Sequence, residues 1–269
     1  MQFRTSDKQI TKSFSSKSFA YTIEKYTYQG HQIRYVSTQL KAQKPKITLL
    51  FIHGAPGSSD AFYTYLQHPK LLAHARLVSV DRPGYGYSDF GKSITSIQEQ
   101  ARLLQPILQK FHSASHPVVL VGHSYGGTIA ARLAMDFPEL ANHLIMLSPA
   151  IDPDLEKIFW FSNLPRTFPF HWLSPRSFKV AADEKFTHEE ELREMLPYWE
   201  KICIPVWHVH GNKDQIVPYL NVEFSRKMLG HVPLKIISLP NANHFIPWKE
   251  EKQIISIILH SIRTFSRQE

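Results

Sequence analysis

The chain has 269 residues, of which 43% are hydrophobic and 20% are charged, and these proportions exclude a disordered or fibrous protein. Its net charge of +8 comes almost entirely from residues 1–46, which hold nine Lys or Arg and two Asp or Glu. The basic residues therefore do not form the stripe across a folded face that is typical of nucleic-acid binding. No apolar run reaches the roughly 18 residues of a membrane span, and the single cysteine, Cys203, excludes an internal disulfide. We therefore expect a cytoplasmic protein with no integral membrane segment and no nucleic-acid partner.

The first elements in chain order are an arm and a hairpin. Residues 1–18, rich in Ser and Lys, are predicted to form a flexible basic arm, with weak contact to a membrane surface as its functional alternative. Residues 19–37 alternate apolar and polar side chains on both sides of Gly30, which predicts a β-hairpin.

Short runs that are apolar on both faces follow the hairpin, and such runs are typical of a parallel sheet covered by helices. They lie at residues 47–52, 77–80, 118–121, 144–147, 206–209 and 234–239. Apolar spacing predicts helices at 97–111, 128–135 and 254–265. This alternation predicts an α/β fold with a mostly parallel central sheet flanked by helices, built from residues 19–150 and 205–269.

Residues 151–204 interrupt the alternation, and we predict that they form an inserted helical cap over one end of the sheet. A segment of this length without a strand is too long for a plain loop. We interpret Thr187 and Glu190 as the capping box of one cap helix. The acidic run Glu189–Glu191 is interpreted as a solvated helix face, with binding of a substrate amine as the alternative.

The predicted cap is rich in aromatic residues. Some of them are expected to form the core of the cap and its contact with the main domain, and the remainder to line a mostly apolar pocket. Trp160 and Trp172 are the candidate substrate-binding residues.

The segment from Gly122 to Gly126 reads Gly-His-Ser-Tyr-Gly and matches the pattern G-x-S-x-G. It directly follows an apolar run and opens the Ala-rich helix, which is the strand–turn–helix setting of a nucleophile elbow. In such a sharp turn, side chains two residues either side of Ser124 would clash, and both positions are glycine. Ser124 is therefore the candidate nucleophile, with an ordinary helix N-cap as its alternative role.

A serine hydroxyl needs a base, and the base needs a carboxylate to orient it. Asp214 and His244 follow the last two predicted strands, so the carboxyl ends of a parallel sheet would bring them near Ser124. We predict a catalytic triad of Ser124, Asp214 and His244. Asp152, which follows the preceding strand, is the alternative acid.

The tetrahedral oxyanion of such a reaction needs two N–H donors. One is expected from the backbone of Tyr125, directly after the nucleophile. The other is expected from Ala55, in the loop that follows the first apolar run, where Pro56 has no N–H to offer. His53 in the same loop is interpreted as a structural turn residue.

His208 and His210 point to one face of a predicted strand. An alternative interpretation is that they bind a metal ion together with Asp214 and His244. The triad accounts for Asp214 and His244, and the sequence offers no further ligand set. We therefore expect no metal.

Five runs carry a resemblance to a known family: HGAPGSS, DRPGYGYSD, GHSYGG, HGNKDQIVP and NANHF. In order and spacing they are similar to those of the α/β-hydrolase superfamily, and the resemblance extends from about residue 19 to the C-terminus. Haloalkane dehalogenases and epoxide hydrolases in that superfamily have Asp at the nucleophile position, where this chain has Ser124. The resemblance implies a serine hydrolase, with a carboxylesterase as the commonest outcome.

We therefore expect hydrolysis of small to medium apolar esters through an acyl-enzyme, with no metal or organic cofactor. The DRPGYGYSD run and the cap also resemble proline iminopeptidases, which generally carry a larger cap, and C–C bond hydrolases. An enzyme of one of these two groups is the alternative within the same class. A ligand-binding receptor that retains the triad is the alternative outside it, because fold and triad do not determine function.

Overall fold

The residues that alternate around Gly30 form an antiparallel hairpin, as predicted. A computed structural model describes residues 4–42, 45–156 and 174–265, and in it β1 (Phe19–Tyr28) pairs with β2 (His31–Leu40). The turn residues Gln29 and Gly30 both have positive φ, 51° and 81°. Two successive residues with positive φ give the tight turn whose twist suits a hairpin.

The six apolar runs form the other strands of the same sheet. These are β3 (Thr48–Ile52), β4 (Arg76–Val80), β5 (Val118–His123), β6 (His143–Leu147), β7 (Val206–Gly211) and β8 (Leu234–Leu239). The strand order is β1-β2-β4-β3-β5-β6-β7-β8. β2 is antiparallel to β4, and the remaining neighbours from β4 to β8 are parallel. The carboxyl ends of β3, β5, β6, β7 and β8 therefore meet at one edge of the sheet.

Helices connect the strands and cover the sheet. They are α1 (Asp7–Phe14), α2 (Tyr63–Leu66), α3 (Pro69–Leu72), α4 (Ile97–Phe111), α5 (Tyr125–Asp136), α6 (Arg176–Met195), α7 (Asn221–Met228), α8 (Ile246–Lys249) and α9 (Glu251–Phe265). Short 3₁₀ turns occupy Ser59–Phe62, Pro138–Leu140, Pro153–Leu155 and Leu196–Lys201.

Buried side chains alternate between two cores, one on each face of the sheet. In β3, Leu50 belongs to the core that contains Leu104 of α4. The adjacent Phe51 belongs to the other core, with Ile258 of α9. Successive residues of a strand point to opposite faces, so the apolar runs are explained by helices on both sides, as the α/β prediction requires.

Residues 6–14 differ from the flexible arm expected at the N-terminus. The Ser6 and Gln9 side chains form a capping box at the start of α1, and Ile10 and Phe14 are fully buried. Phe14 packs edge-on against Tyr63, with ring centroids 5.5 Å apart. The apolar residues of α1 thus contribute to the core, while its basic residues remain outside, and composition alone did not separate the two.

Within the described part of the insertion between β6 and β7, residues 153–155 and 176–201 are helical. α6 runs without a break through Thr187, whose hydroxyl donates to the Glu184 carbonyl within the helix (3.3 Å). The capping box predicted at Thr187 and Glu190 is therefore wrong. Trp160 and Trp172 lie outside the described residues.

Candidate active site

Ser124 lies between the end of β5 and the start of α5, in a sharp turn. Its φ of 55° and ψ of −126° are unusual for a residue with a side chain. A Cβ added at Gly122 would lie 2.3 Å from the Gly126 oxygen, and one at Gly126 would lie 2.3 Å from the Ile52 oxygen. Only glycine at these two positions allows the elbow to approach its own helix and β3.

The side chains of Ser124, His244 and Asp214 form one hydrogen-bonded chain. The distance from Ser124 Oγ to His244 Nε2 is 3.0 Å, and that from His244 Nδ1 to Asp214 Oδ2 is 2.7 Å. A carboxylate only accepts, so Nδ1 carries the proton and Nε2 is the acceptor that faces the hydroxyl. The imidazole is thereby held in the tautomer whose Nε2 lone pair faces the Ser124 hydroxyl.

The Asp214 carboxylate is held from several sides. Its Oδ1 accepts the N–H groups of Ile216 (2.9 Å) and Val217 (2.8 Å). Burial alone would raise the pKa of Asp214, but hydrogen bonds from His210 and His244 hold it well below the ordinary value. The acid is therefore ionised beside His244.

Asp152, the alternative acid, is used differently. Its carboxylate caps the short turn that begins at Pro153, by accepting the N–H of Asp154 at 3.0 Å. Burial raises its pKa. Of the two acids, the structure brings Asp214 to His244.

His123 supports His244 and was not singled out from the sequence. Its Nε2–H donates to the His244 carbonyl (3.0 Å), and the two rings lie 4.8 Å apart. Burial lowers the pKa of His123 to about 3, so it is neutral. The only sequence signal was its place as the first variable residue of the G-x-S-x-G segment, directly before Ser124.

The loop after β3 runs close to the elbow. A Cβ at Gly54 would lie 3.0 Å from the Ser124 Cβ, and Ala55 lines the same cavity as Ser124 and Tyr125. Tyr125 is the first residue of α5, so its N–H has no acceptor within the helix. Ala55 and Tyr125, the residues predicted to supply the oxyanion donors, therefore line the same cavity as Ser124.

Both ring nitrogens of His53 form hydrogen bonds with backbone groups. Its Nδ1–H donates to the Gly54 carbonyl (2.7 Å), and its Nε2 accepts the N–H of Arg82 (3.0 Å). Burial holds its pKa well below the ordinary value. This geometry agrees with the structural role expected for His53.

Arg82 joins the loop after β3 to the insertion, and sequence reasoning missed it. Its guanidinium donates to the His53 carbonyl (2.8 Å) and to both carboxylate oxygens of Glu184 on α6 (2.6 and 3.2 Å). Tyr85 and Gln100 also donate to Glu184 (2.6 and 2.8 Å). Arg82 and Glu184 are fully buried. The sequence shows both charged residues, but no pattern in it indicates that Arg82 and Glu184 form an ion pair.

A cavity of about 530 Å³ opens beside Ser124. Its wall is mainly apolar and includes Leu155 and Phe178 of the insertion. It also carries a polar cluster in which Glu156 accepts from Lys185 and from His188 Nδ1 (3.1 Å). Burial would raise the pKa of Glu156, but these two partners lower it to about 2.

His208 and His210 do not form a metal site with other residues in the described parts of the chain, where no group of three or more potential ligands is placed to hold an ion. His208 Nε2 and His210 Nδ1 face each other at 2.9 Å. This spacing is that of a hydrogen bond between the two rings.

Comparisons with known proteins identify the fold. A family model described as the alpha/beta hydrolase fold matches residues 47–172. Protein ABHD8 of Bos taurus is 28% identical over 257 residues, which cover 83% of this chain and 57% of that protein. The chain thus spans little more than half the length of this relative.

In two further comparisons the aligned region covers nearly the whole length of the matched protein. The uncharacterized hydrolase YugF of Bacillus subtilis (strain 168) is 24% identical over 273 residues, which cover 87% of this chain and 95% of YugF. A solved structure of a thermophilic esterase superposes with a TM-score of 0.64 at 17% identity, covering 91% of this chain and 99% of the esterase. Within the described residues, no helix has both the length and the hydropathy needed to cross a membrane.

The sheet agrees with these likenesses. An antiparallel pair at one edge precedes the parallel strands, and β5 leads through a glycine-flanked serine into α5. The chain has the α/β-hydrolase fold.

Proposed function

We propose that the protein is a serine hydrolase that cleaves carboxylic esters, with Ser124, His244 and Asp214 as its catalytic triad. One observation carries the proposal: the unbroken chain of hydrogen bonds from the Ser124 hydroxyl through His244 to a buried carboxylate. A serine that only capped a helix would need neither partner. The proposed chemistry requires no metal or organic cofactor.

In the proposed reaction, His244 Nε2 takes the hydroxyl proton as Ser124 Oγ attacks the ester carbonyl carbon. The tetrahedral intermediate collapses, its bond to the alcohol oxygen breaks, and His244 gives its proton to the leaving alcohol. A water molecule, deprotonated by His244, then attacks the acyl carbon, the bond from that carbon to Ser124 Oγ breaks, and His244 returns the proton to Oγ as the acid is released. Asp214 stabilises the imidazolium that forms in both halves.

The oxyanion of both intermediates is proposed to bind the N–H groups of Ala55 and Tyr125. The position of these residues supports this role. Both line the cavity at Ser124, and the Tyr125 N–H belongs to a helix N-terminus. Such preorganised donors commonly contribute about 10²–10³-fold to kcat.

The substrate is proposed to be a small to medium apolar ester, and residues 151–204 are proposed to act as the cap that selects it. The cavity volume of about 530 Å³ and the apolar contribution of Leu155 and Phe178 support this class. The fold shared with a thermophilic esterase agrees with it. Trp160 and Trp172 remain proposed substrate-binding residues of the cap.

The test is labelling with a fluorophosphonate, which reacts with an activated serine, followed by mapping of the modified residue by mass spectrometry. We expect the label on Ser124 and none on Ser124→Ala, with kcat on p-nitrophenyl butyrate lower by about 10⁴-fold or more in the variant. Full turnover by a folded Ser124→Ala protein would refute the mechanism. A parallel panel of proline arylamides and vinylogous diketones separates the ester from the amide and C–C alternatives.

A further inference from the structure

Behind Asp214, a second set of hydrogen-bonding side chains continues away from the candidate active site. His208 and His210 lie on the same face of β7, two residues apart, and both are fully buried. His210 Nε2 lies 3.3 Å from Asp214 Oδ2 and 3.1 Å from the Val217 carbonyl. His208 Nε2 lies 2.9 Å from His210 Nδ1, and its Nδ1 lies 2.7 Å from the Ser225 hydroxyl on α7.

The chemistry of these contacts assigns each proton. His210 Nε2 faces two oxygens that only accept, so this nitrogen carries the hydrogen and shares it between them. In a neutral ring, His210 Nδ1 is then an acceptor, and it must receive its hydrogen from His208 Nε2. His208 Nδ1 is left as an acceptor for the Ser225 hydroxyl. Burial lowers the pKa of His208, in agreement with a neutral ring.

The direction of donation is therefore the same along the whole chain, from Ser225 to His208, from His208 to His210, and from His210 towards Asp214. Reversing any one bond would place two hydrogens or two lone pairs face to face in a fully buried site, and each such mismatch leaves a buried polar group unsatisfied. The four groups thus lock one another into a single arrangement.

We propose that His210, with its tautomer held by His208, is a positioning residue for the triad acid: it donates an N–H to Asp214 Oδ2 beside the donation from His244. This inference rests on the proposed role of Asp214. It gives Oδ2 a second donor beside His244, while Oδ1 accepts from the backbone, so the carboxylate is held on both oxygens. A carboxylate bound on both sides stays ionised and does not rotate away from the imidazole.

The titratable side chains that face Asp214 come from three elements. They are His210 on β7, His244 in the loop after β8, and His123 at the end of β5. His244 and His123 remain when His210 is replaced, so the effect of the replacement on pH dependence reports on His210 alone.

The first experiment reads the tautomers directly, without any turnover. The full-length protein is labelled with ¹⁵N-histidine, and long-range proton–nitrogen NMR spectra are recorded at neutral pH, with assignment by His208→Gln and His210→Gln variants. We expect His208 and His210 both to be neutral and protonated on Nε2. A proton on His210 Nδ1 or a doubly protonated ring would overturn the proposal.

The second experiment measures the rate of fluorophosphonate labelling of Ser124 as a function of pH. His210→Phe removes the donor, and we expect labelling about tenfold slower at neutral pH, the order of one charge-assisted hydrogen bond. The acid limb of this rate should move to higher pH, because Asp214 stays ionised and, without the His210 donor, its charge stabilises the protonated imidazole of His244 more strongly. His210→Gln, which keeps an N–H donor of similar reach, should restore most of the rate and the wild-type limb.

His143→Phe is the matched control. His143 is a buried histidine on the neighbouring strand β6 whose Nε2 contacts Ser261 (3.2 Å) rather than the site. It should lower thermal stability without moving the acid limb. An unchanged limb in His210→Phe, or a His210→Gln protein as impaired as His210→Phe, would overturn the proposal. A wild-type protein that takes no label refutes the proposed function instead, and the NMR spectra then decide the tautomers by themselves.

Discussion

Asp214 and Asp152 follow neighbouring strands, β7 and β6, and only one of them can orient His244. Asp214 Oδ2 accepts from His244 at 2.7 Å, whereas Asp152 accepts from the backbone of Asp154. The replacement Asp214→Asn keeps the shape of the side chain but removes the charge that is proposed to stabilise the imidazolium. We expect kcat to fall by about 10²–10⁴-fold in Asp214→Asn and to change little in Asp152→Asn, measured on the same ester. The opposite ranking would assign the acid to Asp152.

Glu156 gives the molecule a pH-dependent contribution to stability. Its pKa of about 2 in the folded protein lies below the ordinary 4.5, so the contribution is fully present above pH 4.5 and is lost as pH falls towards 2. Urea unfolding should show Glu156→Gln to be less stable than wild type by about 2–3 kcal/mol at pH 7, with the difference disappearing near pH 2. The exposed Glu200→Gln is the control. A difference that stayed constant from pH 7 to pH 2 would contradict this account.

At the scale of elements, α6 is tied to the sheet by one buried ion pair. Arg82 follows β4 and also holds the His53 carbonyl, so the contact with Glu184 links the insertion to the loop after β3. We could predict from the sequence that a helical insertion lies between β6 and β7, because no strand pattern interrupts it. The anchoring of α6 through Glu184 could not be predicted, because a charged side chain is expected to face solvent unless a buried partner for it is known.

The replacement Glu184→Gln leaves the Arg82 charge buried without its counter-ion. Breaking such a pair costs about 3–5 kcal/mol, so chemical denaturation should show a loss of that order. The exposed pair between Glu189 and Arg193 on the same helix provides the control, and Glu189→Gln should change stability by less than about 0.5 kcal/mol. Equal effects of the two replacements would show that the buried pair does not anchor α6.

At the scale of the whole molecule, the N-terminal helix belongs to the core formed by β1, α9 and the 63–66 helix. Phe14 is fully buried against Phe19, Tyr21 and Tyr63. Phe14→Ala should therefore cost about 3–5 kcal/mol of unfolding free energy, as expected for loss of a packed aromatic ring. Lys12→Ala, at an exposed position of the same helix, is the control and should be nearly neutral. A Phe14→Ala protein as stable as wild type would restore the interpretation of residues 1–18 as an arm.

The positions of the strands and main helices followed from the sequence alone, because each is a local pattern. Residues 49–52 are apolar on successive positions since both faces of β3 are covered, and α4 occupies 97–111 because its apolar residues recur at helical spacing. Ser124, Asp214 and His244 could be selected in the same way. Each follows a strand, and the carboxyl ends of parallel strands lie at one edge of the sheet.

Only the tertiary structure decided what lies around those three residues. His123, His210 and Arg82 lie in runs that the sequence already singles out, but no periodicity or motif shows which atoms their side chains contact. Their roles depend on distances of about 3 Å between side chains on different strands and loops. The sequence by itself determined the order of elements and the three candidate catalytic residues. The packing of those elements determined which histidine is neutral, which carboxylate is buried and which arginine joins the insertion to the sheet, because burial and hydrogen-bond partners exist only once the chain is folded.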